Sequence, residues 1–572
     1  MTRYLNVNDE NFYKSTNKIF SKYKIPADKK TLKTICFPTK YELQIPQLFL
    51  ADFINPKTPY KGILVNYGIG SGKTCTGVRI GENFKNHKHI MIVAPASLLD
   101  NFRGELRSPC AEYNYISNRD RELLKKLDPS SQEYKVIIKK SNDKIDKYYT
   151  IYSYDIFIRL LIQGKINLVN TLLIIDEVHN MVSETGIRYE TLYNAVHGKA
   201  EPTLRLVIMT ATPIYNDPIE LALTMNLLLP LDNQLPTGRK FVEKYMDITY
   251  TKAGPMYKVK NMDHFKEKIK GYVSYYRGAP PVAYPRSKIS YVRTKMSDKQ
   301  LLLYKRIISK EGKSTKVKDY VNEDVSNSFF IGSRAISNIV YPNGKLRVKG
   351  FESMEDSDYT IDSMKELSPK FVKILRKIKK CEGTVFVYSN FKGYAGLRIF
   401  SEFLQHHGYK NYSNNGSGPK RFGIFSGDET KQYKDEIKAV FNNKNNVDGS
   451  MLKIILGSAS AKEGISLLRL AEIHLIDVYW NFSRMNQIIG RGLRFCSHKD
   501  VPFDKQNVDI YIYLAVHPDI KISIDEYILK MAFNKESINK QFITALKECA
   551  IDCQLFKNAN YYKGEPEYNC DS

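Results

Sequence analysis

The sequence contains few cysteines, and their spacing fits none of the common metal-binding patterns. Eight cysteines are spread over 572 residues without a CxxC pair. Cys549 and Cys553, with Cys570 beyond them, have no neighbouring histidine and the wrong spacing for a usual zinc site. A dense disulfide framework of the secreted type is excluded as well, so we expect reduced thiols in a cytosol-like compartment.

Long apolar runs are also missing. No stretch reaches the roughly 18 apolar residues that a membrane-spanning helix needs. The opening segment MTRYLNVNDE has no apolar core of the secretory type. We therefore expect a protein that is soluble or held by partners, with no membrane association.

Positive charge is what the sequence has in excess. Lys and Arg number 87 against 61 Asp and Glu, which gives a formal net charge of +26. Such a surplus favours a polyanionic partner, with nucleic acid first and an anionic membrane surface second. A lysine-rich coding bias that only keeps the protein soluble is the alternative.

Short apolar runs alternate with helix-like stretches in two blocks. This pattern predicts an α/β fold with two doubly wound parallel-sheet domains, an irregular basic region between them and a helical C-terminal tail. The predicted boundaries are an N-terminal extension at 1–45, a first domain at 46–232, a basic region at 233–365, a second domain at 366–520 and a C-terminal extension at 521–572.

A glycine-rich turn follows the first apolar run. Between Asn66 and a helix-like stretch lies Tyr67-Gly-Ile-Gly-Ser-Gly-Lys-Thr74. Its backbone N–H groups and the following helix N-terminus can hold phosphates, while Lys73 reaches the β- and γ-phosphates and Thr74 joins Mg²⁺. Tyr67 stands where the full G-x-x-x-x-G-K-T signature has glycine, and an ordinary glycine turn is the alternative. The predicted cofactor-binding residues are Gln47, Gly68, Ile69, Gly70, Ser71, Gly72, Lys73, Thr74 and Gly464.

Two adjacent carboxylates end a later apolar run. Asp176 and Glu177 follow the run 171–175, about 100 residues after Lys73. Asp176 can hold Mg²⁺ through water, and Glu177 can orient and deprotonate an attacking water. An acidic turn without a catalytic role is the alternative, and His179 could be purely structural.

Five segments together resemble motifs I, II, III, V and VI of superfamily 2 helicases of the DExH type. They are Gly70-Ser-Gly-Lys-Thr74, Asp176-Glu-Val-His179, Thr210-Ala-Thr-Pro213, Gly457-Ser-Ala-Ser-Ala-Lys-Glu-Gly464 and Gln487-Ile-Ile-Gly-Arg-Gly-Leu-Arg494. The resemblance implies two RecA-like domains, with ATP in the cleft between them and nucleic acid across both.

The resemblance also implies roles for individual residues. Gln47 best matches the adenine-reading glutamine of the family, with Gln44 as a rival. Arg491 and Arg494 match its arginine fingers, and Gln487 lies beside the cleft. A guanidinium suits a phosphoryl transition state because it bridges several charged oxygens. The residues expected to couple hydrolysis to nucleic-acid contact are His179, Thr210, Thr212 and Ser458.

The motif edges are similar to those of the helicase-like transcription ATPases of large cytoplasmic DNA viruses. The similar segments include Asn66–Gly70, Asp176–Asn180, Thr210–Asn216 and Ala550–Cys553. This group includes the poxvirus early transcription factor small subunit and the poxvirus nucleoside triphosphatase. His179 and Asn180 disfavour a DEAD-box RNA helicase, while Asp477–Asn481 is similar to the W-N element of Swi2/Snf2-like translocases.

That resemblance implies a nucleic-acid-dependent ATPase of viral transcription. Its cofactors would be ATP and Mg²⁺, and its substrate DNA rather than RNA. Viral RNA polymerase or a transcription-factor subunit would be a partner. The expected location is the host cytoplasm (the virus factory), with packaging in the virion as a further possibility. A partner-dependent transcription-factor subunit and an RNA helicase are the alternatives.

Overall fold

A computed structural model of the chain describes residues 4–27, 31–39, 41–68, 70–129, 131–198, 202–251, 254–314, 329–462, 465–562 and 565–571. The chain divides into two compact units. Unit 1 consists of Met1–Pro280 and Ser537–Ser572, and unit 2 consists of Pro281–Glu536. The domain boundaries expected from the sequence remain predictions.

Unit 1 is an α/β unit whose main sheet is flanked by helices. Its strands are β1 Gly62–Tyr67, β2 His89–Ala94, β3 Tyr149–Ser153, β4 Thr171–Asp176, β5 Arg205–Thr210, β6 Met246–Thr251, β7 Gly254–Val259 and β8 Val273–Tyr276. Its helices are α1 Phe12–Ile19, α2 Leu32–Cys36, α3 Ile45–Phe53, α4 Lys73–Phe84, α5 Leu99–Leu106, α6 Asn118–Leu124, α7 Gln132–Ile145, α8 Tyr154–Ile162, α9 Ile187–Val196, α10 Ile219–Asn226, α11 Gly238–Tyr245 and α12 Met262–Ile269.

The main sheet of unit 1 has the strand order β3-β2-β4-β5-β1-β8, and its strands are parallel. β6 and β7 form a separate antiparallel pair. β1 and β4 are buried along their whole length, which explains why they appear in the sequence as continuous apolar runs. Because β5 lies between β4 and β1, the loops after these three strands meet at one edge of the sheet.

The N- and C-terminal extensions complete the core of unit 1. Phe20 meets Phe49 edge-on with ring centroids 5.3 Å apart, and Phe49 meets Phe556 edge-on at 5.4 Å. Aromatic pairs of this kind add stability beyond the area they bury. The C-terminal segment with Phe556 is therefore an integral part of unit 1.

Unit 2 contains the second parallel sheet. Its strands are β9 Arg286–Lys295, β10 Thr384–Tyr388, β11 Lys410–Asn411, β12 Arg421–Phe425, β13 Ile454–Gly457, β14 Leu470–Leu475 and β15 Asn507–Val516, in the order β11-β12-β13-β10-β14-β15-β9. Its helices are α13 Asp298–Ser314, α14 Ile331–Asn338, α15 Val348–Phe351, α16 Ile361–Leu367, α17 Pro369–Lys380, α18 Leu397–His406, α19 Tyr412–Asn415, α20 Lys431–Phe441 and α21 Phe482–Ile489. α22 Ile524–Glu548 leads from unit 2 into unit 1, where α23 Cys553–Asn560 follows.

A buried ion pair joins several elements of unit 2. Lys370 and Asp525 are 1 % and 2 % exposed, with Nζ 2.7 Å from the carboxylate. The same ammonium donates to Asn338 Oδ1 at 3.0 Å and to the carbonyl of Ile476 at 3.2 Å. A buried charge needs partners of this kind to offset its lost hydration.

The fold class expected from the sequence is confirmed: two RecA-like α/β units with parallel sheets and a helical C-terminal region. The basic region 233–365 supplies one strand to each main sheet. β8 pairs with β1 in unit 1, and β9 pairs with β15 along ten residues in unit 2. Both are edge strands of their sheets.

The expectation of reduced thiols is wrong for most of the cysteines, because they are disulfide-bonded. Disulfides join Cys75 to Cys110 and Cys553 to Cys570, with Cα–Cα distances of 5.4 and 5.6 Å. The Cys75 bond connects α4 to the segment after α5, which are 35 residues apart in sequence. Spacing alone could not indicate this pair, because packing brings the two segments together.

None of the helices in the described residues is long and apolar enough to cross a membrane.

Candidate functional site

The glycine-rich turn of unit 1 links a buried strand to a helix. β1 ends at Tyr67, and α4 begins at Lys73 with Gly72 as its N-cap. Gly70 and Gly72 have φ angles of 75° and 79°, in a region of backbone conformation that residues other than glycine rarely adopt. The helix N-terminus that follows carries a partial positive charge and suits a phosphate. Ile69 lies outside the described residues.

Neighbouring groups pack closely against the glycines of the turn. A Cβ atom on Gly68 would lie 2.0 Å from the carbonyl oxygen of Arg277, and one on Gly72 would lie 2.4 Å from Gln47 Nε2. Gln47 is 3 % exposed, and its amide donates to the carbonyl of Gly72 at 3.3 Å. Gln44 is exposed and donates its backbone N–H to Gln47 Oε1 at 2.8 Å. The structure thus brings Gln47, rather than its rival, onto the turn.

Lys73 faces both the turn and the carboxylate pair. Its Nζ lies 3.6 Å from Glu177 Oε1 and 3.3 Å from the carbonyl oxygen of Tyr67, to which it donates. The side chain of Lys73 is 11 % exposed. Ser71 Oγ is buried, and it has no hydrogen-bond partner among the described residues. The turn therefore combines a nearly buried cation with an unsatisfied hydroxyl.

The carboxylate pair lies where β4 ends. Asp176 is 4 % exposed and accepts the N–H of Glu177 at 3.1 Å. Burial and the adjacent charge of Glu177 raise the pKa of Asp176 to about 7, although Lys73 opposes this. Burial also tends to raise the pKa of Glu177, but Lys73, His179 and hydrogen bonds outweigh it and lower that pKa. The lowered pKa favours an ionised Glu177, whereas the raised pKa of Asp176 disfavours its charged form.

A histidine and two threonines form a polar cluster around Oε2, the second carboxylate oxygen of Glu177. Glu177 Oε2 lies 3.4 Å from His179 Nδ1 and accepts from Thr210 Oγ1 at 3.4 Å. His179 Nδ1 is 3.3 Å from Thr210 Oγ1 and 3.4 Å from Thr212 Oγ1. The N–H of Thr212 donates to Thr210 Oγ1 at 3.0 Å. One carboxylate therefore contacts both the Lys73 side and the segment after β5.

Two tyrosines support this cluster through contacts that the sequence did not indicate. The Tyr154 hydroxyl donates to the carbonyl of Glu177 at 3.0 Å, where the Glu177 backbone has a φ of 49°. The ring of Tyr215 stacks on His179 with centroids 5.4 Å apart. Both tyrosines lie in segments next to recognised motifs, and that proximity is the sequence signal that could have indicated them.

The donors at this edge of the sheet fit a hard divalent cation. Asp176 supplies a buried carboxylate, and burial together with the adjacent charge of Glu177 raises its pKa. Thr74 lies in the first turn of α4, directly after Lys73. Carboxylate and hydroxyl oxygens are the ligands that Mg²⁺ takes, usually together with water and substrate phosphates.

The remaining predicted residues lie in unit 2. Ser458 follows β13, is 4 % exposed and donates its N–H to the carbonyl of Phe425 at 3.3 Å. Gln487 is half-buried on α21. Gly464 lies outside the described residues.

Arg491 and Arg494 follow α21 and are half-buried. Arg491 donates from its guanidinium to the carbonyl of Ile465 at 3.5 Å. Burial lowers the pKa of Arg494, and a tyrosinate charge at Tyr284 would oppose this. In the described part of the chain, Arg494 Nε is buried without a hydrogen-bond partner. Burial of this nitrogen costs hydration energy, which a hydrogen bond to an anion would offset.

The sequence matches other proteins over most of its length. The family described as "Type III restriction enzyme, res subunit" matches residues 20–215. A protein of Acanthamoeba polyphaga mimivirus, provisionally named an ATP-dependent RNA helicase, is 62 % identical over 99 % of both chains. A "Termination factor NPH-I homolog" of African swine fever virus is 24 % identical over 86 % of this chain and 76 % of that protein.

A solved structure, "Sulfolobus solfataricus SWI2/SNF2 ATPase core in complex with dsDNA", covers 91 % of this chain and 95 % of that chain, with 15 % identity and a TM-score of 0.31. The assignment of this chain depends on the mimivirus relative, because its identity is high over the full length of both proteins. The chain belongs to the superfamily 2 helicases of large DNA viruses and is an ATP-hydrolysing enzyme of the helicase type.

Proposed function

We propose that this chain is a nucleic-acid-dependent ATPase that uses ATP hydrolysis to translocate on or remodel DNA or RNA during viral transcription. The observation that carries the proposal is the position of Glu177. Its carboxylate contacts Lys73 through one oxygen and the pair His179 and Thr210 through the other. A base in this position contacts both the phosphate site and the segment that follows β5, so a change in one can affect the other.

ATP would bind at the turn 68–74, with its phosphates on the backbone N–H groups and on Lys73. Thr74 and Asp176 would hold Mg²⁺, which would neutralise charge on the phosphates. Glu177 would accept the proton of the attacking water, because Lys73 and His179 keep it ionised. Gln47 would contact the adenine, since it already lies against Gly72.

Unit 2 would supply the positive charge that the transition state requires. Arg491 and Arg494 would act as arginine fingers, with Gln487 and Gly464 beside the nucleotide. The buried Nε of Arg494 supports this role, because a phosphate oxygen would satisfy it. Ser458, Thr210, Thr212 and His179 would couple hydrolysis to movement on nucleic acid.

Charge favours nucleic acid as the second substrate. The formal net charge of +26 suits the phosphate backbone, which binds basic proteins largely without regard to sequence. We propose DNA rather than RNA. The mimivirus relative carries the name of an RNA helicase, so an RNA-dependent enzyme is the second candidate.

The place of this activity is part of the proposal. The African swine fever virus relative is named a termination factor homologue, which favours a role in transcription. Viral RNA polymerase or a transcription-factor subunit would then be the partner. We propose the host cytoplasm as the location, with packaging in the virion.

Hydrolysis of ATP in parallel reactions tests the proposal. The full-length chain would be assayed alone and with single-stranded DNA, duplex DNA and RNA at one ionic strength, with Lys73→Ala as the background. We expect Lys73-dependent hydrolysis that DNA stimulates. Stimulation by RNA alone would favour the RNA-dependent enzyme instead. A rate of hydrolysis that no nucleic acid changes would contradict the proposal.

A further inference from the structure

The residue that departs from the phosphate-loop signature is held by three segments of unit 1. Tyr67 occupies the place of the first glycine, and its side chain is completely buried. Its hydroxyl lies 3.3 Å from the carbonyl oxygen of Pro46 and 3.1 Å from Ser274 Oγ. Pro46 belongs to α3, and Ser274 belongs to β8. A glycine here could make none of these side-chain contacts.

The third segment comes from the C-terminal part of the chain. Ser274 Oγ also forms a hydrogen bond with the carboxyl group of Asp552, which is 0 % exposed. The other oxygen of Asp552 accepts the N–H of Tyr275 at 3.0 Å. The segment from Ile551 onward thus covers the edge of the unit 1 sheet, which ends at β8. We name Tyr67, Ser274 and Asp552 the tyrosine anchor.

Protons in the anchor can be counted. Ser274 has one hydroxyl proton and Tyr67 has one, yet three contacts link Pro46, Tyr67, Ser274 and Asp552. All three contacts are satisfied when Asp552 itself donates a proton. Burial raises the pKa of Asp552 to about 7, which is consistent with a protonated carboxyl group. An asparagine could donate and accept at the same two places.

The anchor connects directly to the phosphate site. The backbone carbonyl of Tyr67 accepts from Lys73 Nζ at 3.3 Å. The N–H of the next residue, Gly68, donates to the carbonyl of Tyr276 at 2.9 Å. Pro46 directly precedes Gln47, whose amide contacts Gly72. A shift of the Tyr67 ring would therefore move the start of the turn, the carbonyl that receives Lys73 and the helix of Gln47.

We propose that Asp552, acting through Ser274 and Tyr67, is a positioning residue for the phosphate loop, so that the C-terminal segment helps to build the nucleotide site. The inference rests on the proposed function, because it takes the turn at 68–74 as the place where ATP binds. It goes further by assigning the C-terminal segment, which is far from the phosphate loop in sequence, to that site.

Steady-state ATP hydrolysis by the full-length chain tests the inference, with KM for ATP and kcat measured separately. We expect Tyr67→Phe and Asp552→Ala to raise KM about 5- to 10-fold, the size of one or two lost hydrogen bonds, with kcat changed less than KM. Asp552→Asn should return KM close to that of the wild type. Tyr67→Phe removes a single oxygen atom, so it still decides the question if Asp552→Ala does not fold.

Asn560 provides the matched control. It is 3 % exposed on α23 and contacts the backbone at the end of β8. Its amide accepts the N–H of Arg277, directly after the strand, at 2.8 Å and donates to the carbonyl of Tyr275 at 3.0 Å. Asn560→Ala removes contacts of the C-terminal segment without touching the anchor. It should lower the thermal midpoint, while KM rises less than it does for Asp552→Ala.

Two results would overturn the inference. One is a KM for Tyr67→Phe equal to that of the wild type. The other is an equal rise in KM for Asn560→Ala and Asp552→Ala, which would indicate general loosening. Lys73→Ala in the same assay distinguishes failure of this inference from failure of the proposed function. Hydrolysis that persists without Lys73 contradicts the proposed ATP site itself.

Discussion

The candidate cations of the two units differ in how their charge is balanced. In unit 1, Lys73 has a carboxylate within 3.6 Å and a backbone carbonyl within 3.3 Å. In unit 2, Arg494 is half-buried, and within the described residues its Nε has no hydrogen-bond partner. Burial lowers the pKa of Arg494, whereas Glu177 beside Lys73 has a lowered pKa that favours the ion pair.

This difference predicts different roles for the two cations in ATP hydrolysis. A cation that already has partners can exchange them for phosphate oxygens, so Lys73 suits ground-state binding of ATP. A cation whose desolvation is not offset gains most from an anion supplied by a ligand. We therefore expect substitution of Arg494 to lower kcat alone. Substitutions around the turn at 68–74 should change both kcat and the affinity for ATP.

The largest effect should come from Arg494. We expect Arg494→Ala to lower kcat by about 10³-fold or more, because an arginine finger stabilises transition-state charge. Affinity for a non-hydrolysable ATP analogue should change little. Arg376→Ala, an exposed arginine on α17, is the control. Loss of nucleic-acid affinity with unchanged turnover would instead place Arg494 on the nucleic-acid surface.

Glu177→Gln should lower kcat by about 10²- to 10⁴-fold, the usual contribution of a general base. Because glutamine keeps the shape of the side chain, we expect ATP to remain bound. Equilibrium binding and single-turnover hydrolysis measure the two effects, with the exposed Glu190→Gln as the control. Parental hydrolysis by Glu177→Gln would show that another group is the base.

Gln47→Ala should raise KM for ATP by about 10-fold, since two hydrogen bonds of ordinary strength are lost. The preference of the Gln47→Ala variant for ATP over GTP should fall as well, because Gln47 is proposed to contact the adenine. Gln44→Ala is a natural control, because Gln44 is the exposed rival three residues earlier. Equal effects of the two variants would remove the basis for choosing Gln47.

The smallest effect is a pH dependence of stability. The pKa of Asp176 is raised to about 7 in the folded chain, against an ordinary value of about 3.9 when unfolded. Between these values the folded state binds the extra proton, so this group lowers stability as the pH rises towards 7. Without nucleotide or Mg²⁺, Asp176→Asn should therefore gain Tm relative to the wild type from pH 5 to pH 8.

Thermal unfolding at several pH values measures this gain, with the exposed Asp9→Asn as the control. A Tm difference between Asp176→Asn and the wild type that is constant across this range would mean that Asp176 does not titrate there.

The sequence predicts buried strands better than edge strands. The apolar run 171–175 is found in β4 Thr171–Asp176, which is buried along its whole length. β8 and β9 were not anticipated. β9 reads RSKISYVRTK and is mostly exposed, because an edge strand is solvated and needs no apolar run.

The same limit applies to the candidate site. Lys73, Asp176, Glu177 and Thr210 are brought together as the motif order implies, because three neighbouring parallel strands end at one edge. The segment Ala550–Cys553 is part of the family resemblance, but its local pattern indicates no role for Asp552. Asp552 reaches Ser274 across 278 residues of sequence, and only the packing of α23 on β8 reveals the contact.

ATP hydrolysis by Lys73→Ala tests most directly whether the turn at 68–74 is the site of hydrolysis. The variant would be compared with the wild type and with Lys57→Ala, an exposed lysine of the same unit, in one preparation and at saturating Mg²⁺ and ATP. We expect Lys73→Ala to lose at least about 10²-fold in kcat, by analogy with the loss of a single preorganised charge-stabilising donor. Hydrolysis by Lys73→Ala at the rate of the wild type would contradict the assignment of this site.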